Sequence, residues 1–285
     1  MARLLRWGGH LIGGLLLVAV IAAATVWIIS ERKLNARPEP RLASLAKPTP
    51  AQLADGPRQL HVLGCLSCHG KGLQGDIFMD EPKIAKIYAP NLTLIAAKAS
   101  DQQLEQAIRQ GIGHDGRTLL IMPSEGYQFL TDSEVAALIA AIRALPKGGQ
   151  VQPAARIGPL GRVGLANGKF RTAPTLVSAF GASRLADLGP QWAAGRHIVE
   201  VNCAECHGPD LKGMEVKPGT VSADLAIAGA YDLDQFKALL RDGVAPGKKD
   251  IGMMGDVARS DFKYLKDEEI AAIHAYLTER ARRMP

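Results

Sequence analysis

All four cysteines of the chain fall in two copies of one five-residue pattern, Cys65-Leu66-Ser67-Cys68-His69 and Cys203-Ala204-Glu205-Cys206-His207. With this composition, two chance copies of C-x-x-C-H are expected on the order of once in a million chains. The spacing constrains the fold. Two thiols three positions apart lie on one helical turn, where they reach the two vinyl groups of a haem. The histidine that follows is then aimed at the iron from the proximal side. Thioether bonds are covalent, so the cofactor is not lost from an exported protein.

Three other uses of C-x-x-C fit less well. A thioredoxin-like redox pair needs no following histidine and sits in a βαβ context, which the sequence does not present. A zinc site built from both pairs would have to close 138 residues, where 15–20 is usual. Plain buried thiols do not explain a duplicated pattern.

The surroundings of the motif repeat as well. At an offset of 138, Arg58, Cys65, Cys68, His69, Gly70, Leu73 and Gly75 match Arg196, Cys203, Cys206, His207, Gly208, Leu211 and Gly213. The offset becomes 132 for Leu104, Ile108, Arg109 and Gly111, which fall on Phe236, Leu240, Arg241 and Gly243. It becomes 135 for Leu130, Asp132, Glu134 and Val135, which meet Leu265, Asp267, Glu269 and Ile270. Shifting offsets are what loop insertions produce, so the chain reads as two tandem copies of one haem domain.

A methionine thioether is the common second iron ligand of electron-carrying haem proteins. In the first copy Met79 and Met122 compete, and Met122 stands in a loop before Pro123 and a terminal helix. In the second copy the candidates are Met214, Met253 and Met254. Met122 lies eleven residues after Gly111, and Met254 lies eleven after Gly243, so the repeat selects Met254. The expected axial pairs are therefore His69 with Met122 and His207 with Met254. His114, in the loop before Met122, is the rival there and reads as a solvated loop residue. His61 is expected to face solvent or a propionate, and His274 to be a surface or packing residue.

The N-terminus carries a second signal. Leu11–Ile29 is a run of nineteen residues without a charge, about 28 Å as a helix, close to the hydrocarbon thickness of a bilayer. Trp7 and Trp27 stand near its ends, where indoles favour the interface. A cleaved signal sequence is the alternative, with Ala22-Ala23-Ala24 as small residues for cleavage, but apolar sequence continues to Ile29. Arg3 and Arg6 on one side face Arg32, Lys33 and Arg37 on the other, so charge does not set the orientation. The haem chemistry does, because either reading exports the bulk of the chain. The formal charge of +6 is mostly local: residues 1–37 hold +4 of it. With no basic, aromatic-interleaved patch, nucleic-acid binding is not expected.

These signals divide the chain into an anchor or signal sequence (1–30), a Pro-rich tether (31–51), a first haem domain (52–146), a Gly/Pro-rich linker (147–190) and a second haem domain (191–285). Both domains read as all-α. Helices are expected over Gln52–Gly64 and Ala193–Asn202, leading into the motifs, and over Asp101–Gln110 and Leu233–Asp242. A terminal helix opens in a Thr131/Glu134 capping box. No strand alternation is long enough to indicate a sheet. The linker's Ile157, Leu160, Val163, Leu165 and Phe170 suggest that it packs across both domains. Aromatics are only 5% of the chain, so haem is expected to fill core volume.

The sequence resembles class I cytochromes c and, more narrowly, the membrane-anchored cytochrome subunits of bacterial periplasmic dehydrogenases of the alcohol and gluconate type. The resemblance rests on Cys65–Gly70, Ala89-Pro90-Asn91-Leu92-Thr93, Arg109–Gly111, Asp115-Gly116-Arg117, Met122-Pro123 and the helix opening at Leu130. It implies a place near the haem for Asn91 and an axial sulfur from Met122. Those subunits usually carry three haems and this chain has two motifs; Gly255 also stands where Met-Pro would place proline in the second copy. The expected protein holds two covalent haem c groups, on Cys65/Cys68 and Cys203/Cys206. It stays in the bacterial inner membrane with its domains in the periplasm. It relays single electrons from a dehydrogenase or quinol to a terminal oxidase or soluble cytochrome. A peroxidase-like enzyme with one open haem, the dihaem subunit of a cytochrome oxidase complex and a haem-based sensor are the alternatives.

Overall fold

The computed structural model describes residues 2–217, 219–247 and 251–284, with side chains from position 7 onward, so the side chains of Arg3 and Arg6 lie outside the described residues. The chain opens in a long helix, α1 (Ala2–Leu34), whose apolar stretch stands clear of the rest of the molecule. The following segment to Thr49 is extended, as its prolines dictate. It is nonetheless fastened to the first domain: Thr118 donates to the Ala36 carbonyl at 3.2 Å, and Arg37 to the Asp115 carbonyl at 2.8 Å. The Gln110 amide bonds both backbone groups of Arg41, at 2.8 and 2.9 Å.

The first domain begins with α2 (Pro50–Val62), started by a Thr49/Gln52 capping box and Pro50. The motif helix α3 (Cys65–His69) follows. Beyond it come α4 (Leu92–Ala96), α5 (Asp101–Glu105) with a π-turn over Gln106–Gln110, α6 (Ser124–Tyr127) and α7 (Asp132–Ala144). The capping box at Thr131 and Glu134 is present. Leu60, Leu73, Leu104, Leu138 and Ile142 form the buried cluster between α2, α5 and α7.

The linker contains α8 (Pro159–Asn167) and α9 (Ala173–Gly181), and sends Phe180, Leu185 and Leu188 into the second domain's core. That domain runs through α10 (Ala193–Asn202), α11 (Ala204–His207), a 3-10 stretch (Leu225–Ala230), α12 (Leu233–Asp242), α13 (Met253–Ser260) and α14 (Asp267–Arg283). Its cluster is built on Leu211, Phe236, Ile270, Tyr276 and Leu277.

The all-α expectation holds broadly, with a few short strands added. β1 (Asp76–Glu81) and β2 (Ala85–Ala89) form an antiparallel hairpin, and β3 (Arg156–Ile157) from the linker extends it. The second domain repeats it in miniature with β4 (Glu215–Lys217) and β5 (Thr220–Val221). Ala85, Ile87 and Ala89 alternate inward, but five residues with two alanines give too short and weak a period to read as a strand.

The two domains meet through matching surfaces. Val62 of the first packs in the second domain's core, and Val201 of the second packs in the first domain's core. Arg58 on α2 forks onto Glu269 at the start of α14, while His197 on α10 bonds Glu134 at the start of α7, at 2.9 Å. Each helix that leads into a motif is thus tied to the other domain's terminal helix. His61, expected to face solvent or a propionate, is half-buried and stacks on Tyr264 of the other domain, with ring centroids 4.0 Å apart.

Candidate haem centres

Each motif sits in the same local frame. Gly64, in a left-handed conformation (φ +65°), lets the chain turn from α2 into α3 against the Asp261 carboxylate of the second domain. After each motif histidine the chain reverses: the Gly75 amide donates to the His69 carbonyl and the Gly213 amide to the His207 carbonyl, both at 2.8 Å. Leu73 and Leu211 hold positive φ (57° and 60°) inside these turns, both fully buried. Burial of the leucine side chain offsets the strain of that backbone.

The histidine rings are oriented by backbone carbonyls. His69 Nδ1 lies 2.8 Å from the Pro90 oxygen, and His207 Nδ1 lies 2.7 Å from the Ala223 oxygen. A carbonyl only accepts, so each Nδ1 carries the proton and each Nε2 presents its lone pair. Burial lowers both histidine pKa values, which keeps the rings neutral, as a metal ligand must be.

In the first domain an apolar cavity is lined by Cys65, Cys68, His69, Met122, Tyr127 and Ile142, among other mainly apolar residues. The residues expected to attach and ligate the first haem therefore share one apolar space. In the second domain Cys203, Met214 and Met254 pack on the same buried cluster. Met254 turns inward with Val257, one turn on, whereas Met253 is exposed. Met79 lies on β1 and does not line the first cavity. His114 is exposed, and its carbonyl accepts from Gln103. His274 packs against Phe236 and bonds the Tyr231 carbonyl at 2.8 Å.

Asn91 is buried and caps α4, accepting from the Thr93 and Leu94 amides. It donates to the Gly148 carbonyl at 2.7 Å. It therefore fixes the segment whose preceding carbonyl, that of Pro90, orients His69. Asp224 does the same work after Ala223 in the second domain, capping the 3-10 stretch through the Ala226 amide. Sequence reading did not single out Asp224, because Asn and Asp differ and the offset there is 133. It also missed Tyr127, whose hydroxyl donates to the Leu63 carbonyl just before the first motif.

The motifs face the domain boundary. The Ser67 hydroxyl, inside the first motif, bonds Asp261 of the second domain. Burial pushes the Cys68 thiol up to about 11, and Glu205, inside the second motif, adds to it. Burial likewise pushes Cys206 up to about 12, with Glu205 and then Glu125 of the first domain adding. Cys65 and Cys203 are raised to about 12 by burial. A redox-active C-x-x-C has a depressed thiol pKa, and these shifts run the other way. Glu125 itself is buried with one oxygen unpartnered, and burial raises it to about 7, so it is substantially protonated at neutral pH.

The donor set fits haem. Two thiols one turn apart, a neutral histidine with Nε2 free and a thioether in one apolar cavity match thioether attachment with His/Met ligation. Among the described residues no group of three or more His, Cys, Asp or Glu side chains is placed to hold a bare metal ion.

Comparison with known proteins agrees. Residues 52–140 match the family described as cytochrome C oxidase, cbb3-type, subunit III, and residues 192–280 match the cytochrome c family. The chain is similar to the fructose dehydrogenase cytochrome subunit of Gluconobacter japonicus, at 24% identity over 91% of this chain and 58% of that protein. It is also similar to the cytochrome c subunit of the quinone alcohol dehydrogenase of Gluconobacter oxydans (strain 621H), at 25% identity over 75% of this chain and 51% of that one. The chain spans little more than half the length of these relatives.

Proposed function

We propose that this chain, with its two cytochrome c domains and two covalently bound haem c groups, is a membrane-anchored electron-transfer subunit of an oxidoreductase complex. The observation that carries the reading is the convergence of Cys65, Cys68, His69 and Met122 on one apolar cavity, within a frame that the second domain repeats. Haem c supplies one-electron redox chemistry at such a site. Cys65/Cys68 and Cys203/Cys206 would hold the two groups covalently. His69 and His207 would ligate iron on one side, Met122 and Met254 on the other. A histidine and a methionine holding each group would leave the chain carrying electrons rather than transforming a substrate itself.

The domain interface supports transfer between the two centres. Val62 and Val201 are exchanged between cores, and Ser67 ties the first motif to Asp261, so the two centres are held at a fixed separation. In this reading the donor is a periplasmic dehydrogenase, as the names of both relatives suggest, or the quinol pool. The acceptor is a terminal oxidase or a soluble cytochrome. The apolar part of α1 would span the inner membrane and leave the cytochrome domains on the periplasmic side. Cleavage at Ala22–Ala24 would leave residues from Thr25 onward, so the contacts of Trp27–Lys33 described below survive either fate of the leader.

The test is carbon monoxide added to the fully reduced, purified holoprotein and followed optically. No binding is the expected outcome for two irons capped by strong ligands. Rapid binding at one haem would overturn the carrier reading in favour of a peroxidase-like enzyme. The match of the first domain to an oxidase subunit family favours a second reading, membership of a cytochrome oxidase complex. Co-purification of haem–copper subunits would select it.

A further inference from the structure

We infer that the first turns of α8, with the hairpin turn 82–84, form a ledge that rests in the interfacial layer of the bilayer entered by α1, so that the first cytochrome domain keeps a fixed attitude to the membrane. The inference rests on the anchor reading above.

The C-terminal end of α1 is fastened to the domain. The Arg162 guanidinium lies 3.6 Å from the centre of the Trp27 ring and donates to Ser30 Oγ and Glu31, both at 2.9 Å. Lys33 Nζ donates to the Leu165 carbonyl at 2.6 Å, and Ser30 is fully buried. These contacts fall where the uncharged run Leu11–Ile29 ends. From Trp27 to Lys33 a helix rises about 9 Å, comparable with the roughly 5–8 Å between the hydrocarbon edge and the outer limit of the headgroups. Arg162 meets Trp27 while Leu165 meets Lys33, so the N-terminal end of α8 is the end nearest the apolar run.

α8 cannot swing away from that level. The Gly158 amide donates to the Ile84 carbonyl and the Leu160 amide to the Lys83 carbonyl, both at 2.9 Å. Gly161 lies so close to Ile84 that a Cβ would stand 2.1 Å from its carbonyl oxygen. β3, just before α8, is paired to β2. Residues 36–41 are bonded to the same domain, which leaves no slack between it and α1.

What this rigid element exposes is apolar. Leu160 is 58% exposed and Val163, one turn on, 44%; Ile84 at the hairpin turn is 38% exposed. Exposed Lys83 and Arg156 flank them. Apolar side chains rimmed by cations, beside an interfacial tryptophan, suit a lipid headgroup layer better than water.

Because haem attachment consumes all four native cysteines, a new cysteine is the only free thiol in the holoprotein. Leu160→Cys, Val163→Cys, Asn167→Cys and Leu17→Cys, each carrying a nitroxide, would be reconstituted in vesicles of phosphatidylcholine with phosphatidylglycerol. Unchanged haem spectra would show that each has folded. Accessibility to oxygen and to a water-soluble nickel chelate is then read by power-saturation electron paramagnetic resonance. The expected result is loss of nickel accessibility at 160 and 163 relative to 167, with oxygen favoured. If 160 and 163 match 167 while 17 lies in the bilayer, the ledge is refuted and the anchor stands. If 17 is also in water, the anchor reading fails and takes the ledge with it.

Discussion

Arg58→Met tests how firmly the two cytochrome domains are joined. Arg58 donates twice to Asp55 and twice to Glu269, at 2.7–2.8 Å, and once more to the Tyr264 carbonyl at 2.8 Å. The Arg58 and Glu269 side chains are 20% and 19% exposed. Breaking a fully buried pair costs about 3–5 kcal/mol, and an exposed pair is worth about 0.2–1 kcal/mol. Mostly buried but solvent-touched geometry puts the substitution at about 2 kcal/mol. Asp55 keeps Lys266 at 3.2 Å, so most of the loss falls on Glu269. In a double-mutant cycle with Glu269→Gln the coupling should be about 1–1.5 kcal/mol. The assay is urea unfolding of the detergent-solubilised holoprotein by circular dichroism. Because Val62 and Val201 sit in each other's domain core, the parent chain should unfold in one transition, and Arg58→Met should begin to split it. A coupling below about 0.3 kcal/mol, or a single unshifted transition, would refute a working electrostatic clamp at this boundary.

The second clamp makes stability depend on pH. His197 is raised above 6.5 first by its bond to Glu134, so its contribution is complete below 6.5 and fades as pH climbs through the raised value. Glu134 is lowered below 4.5 despite burial, by His197 above all, so its contribution is complete above 4.5 and fades as pH falls. The difference in Tm between the parent and His197→Gln should therefore be largest between pH 4.5 and 6.5 and shrink on either side. Gly195→Ala should destabilise by about 2–3 kcal/mol in chemical denaturation, because its Cβ would stand 2.0 Å from the Ala272 carbonyl at the α10–α14 crossing. Gly56→Ala, at the α2–α7 crossing, meets nothing nearer than 3.1 Å; a gain in helix propensity of about 1 kcal/mol should leave it near neutral. Replacing Met254 with alanine should abolish one of two Met-ligated haem signals in the optical spectrum, whereas Met253→Ala should leave both.

Much of each centre was legible because it is made of local chemistry. The C-x-x-C-H pattern names the thiols and the histidine, and the repeat offset points to Met122 and Met254 as counterparts. The repeated arginines proved informative in a way the alignment alone did not explain. Arg109 bonds the Leu130 carbonyl and Asp132, and Arg241 bonds the Leu265 carbonyl and Asp267, so each staples one helix to the start of the next. The Pro90 and Ala223 carbonyls that hold the histidines were not legible, since a backbone oxygen has no sequence signature. The hairpin escaped for a related reason, as its inward face is two alanines and one isoleucine.

By itself, then, the sequence determined what is covalent or confined to a turn: two haem attachment motifs, their duplication, the helix caps and an apolar run long enough to cross a bilayer. How those parts face one another follows from the packing of the folded chain. Val62 and Val201 change cores, His61 finds Tyr264, Ser67 finds Asp261, and the Pro-rich segment and α8 bind the end of α1 to the first domain. The physical reason is range. Turn and motif chemistry is paid within a few residues, where the chain's own spacing dictates the geometry. Contacts across 130 to 210 residues depend on which surfaces are left apolar or charged once both domains have closed.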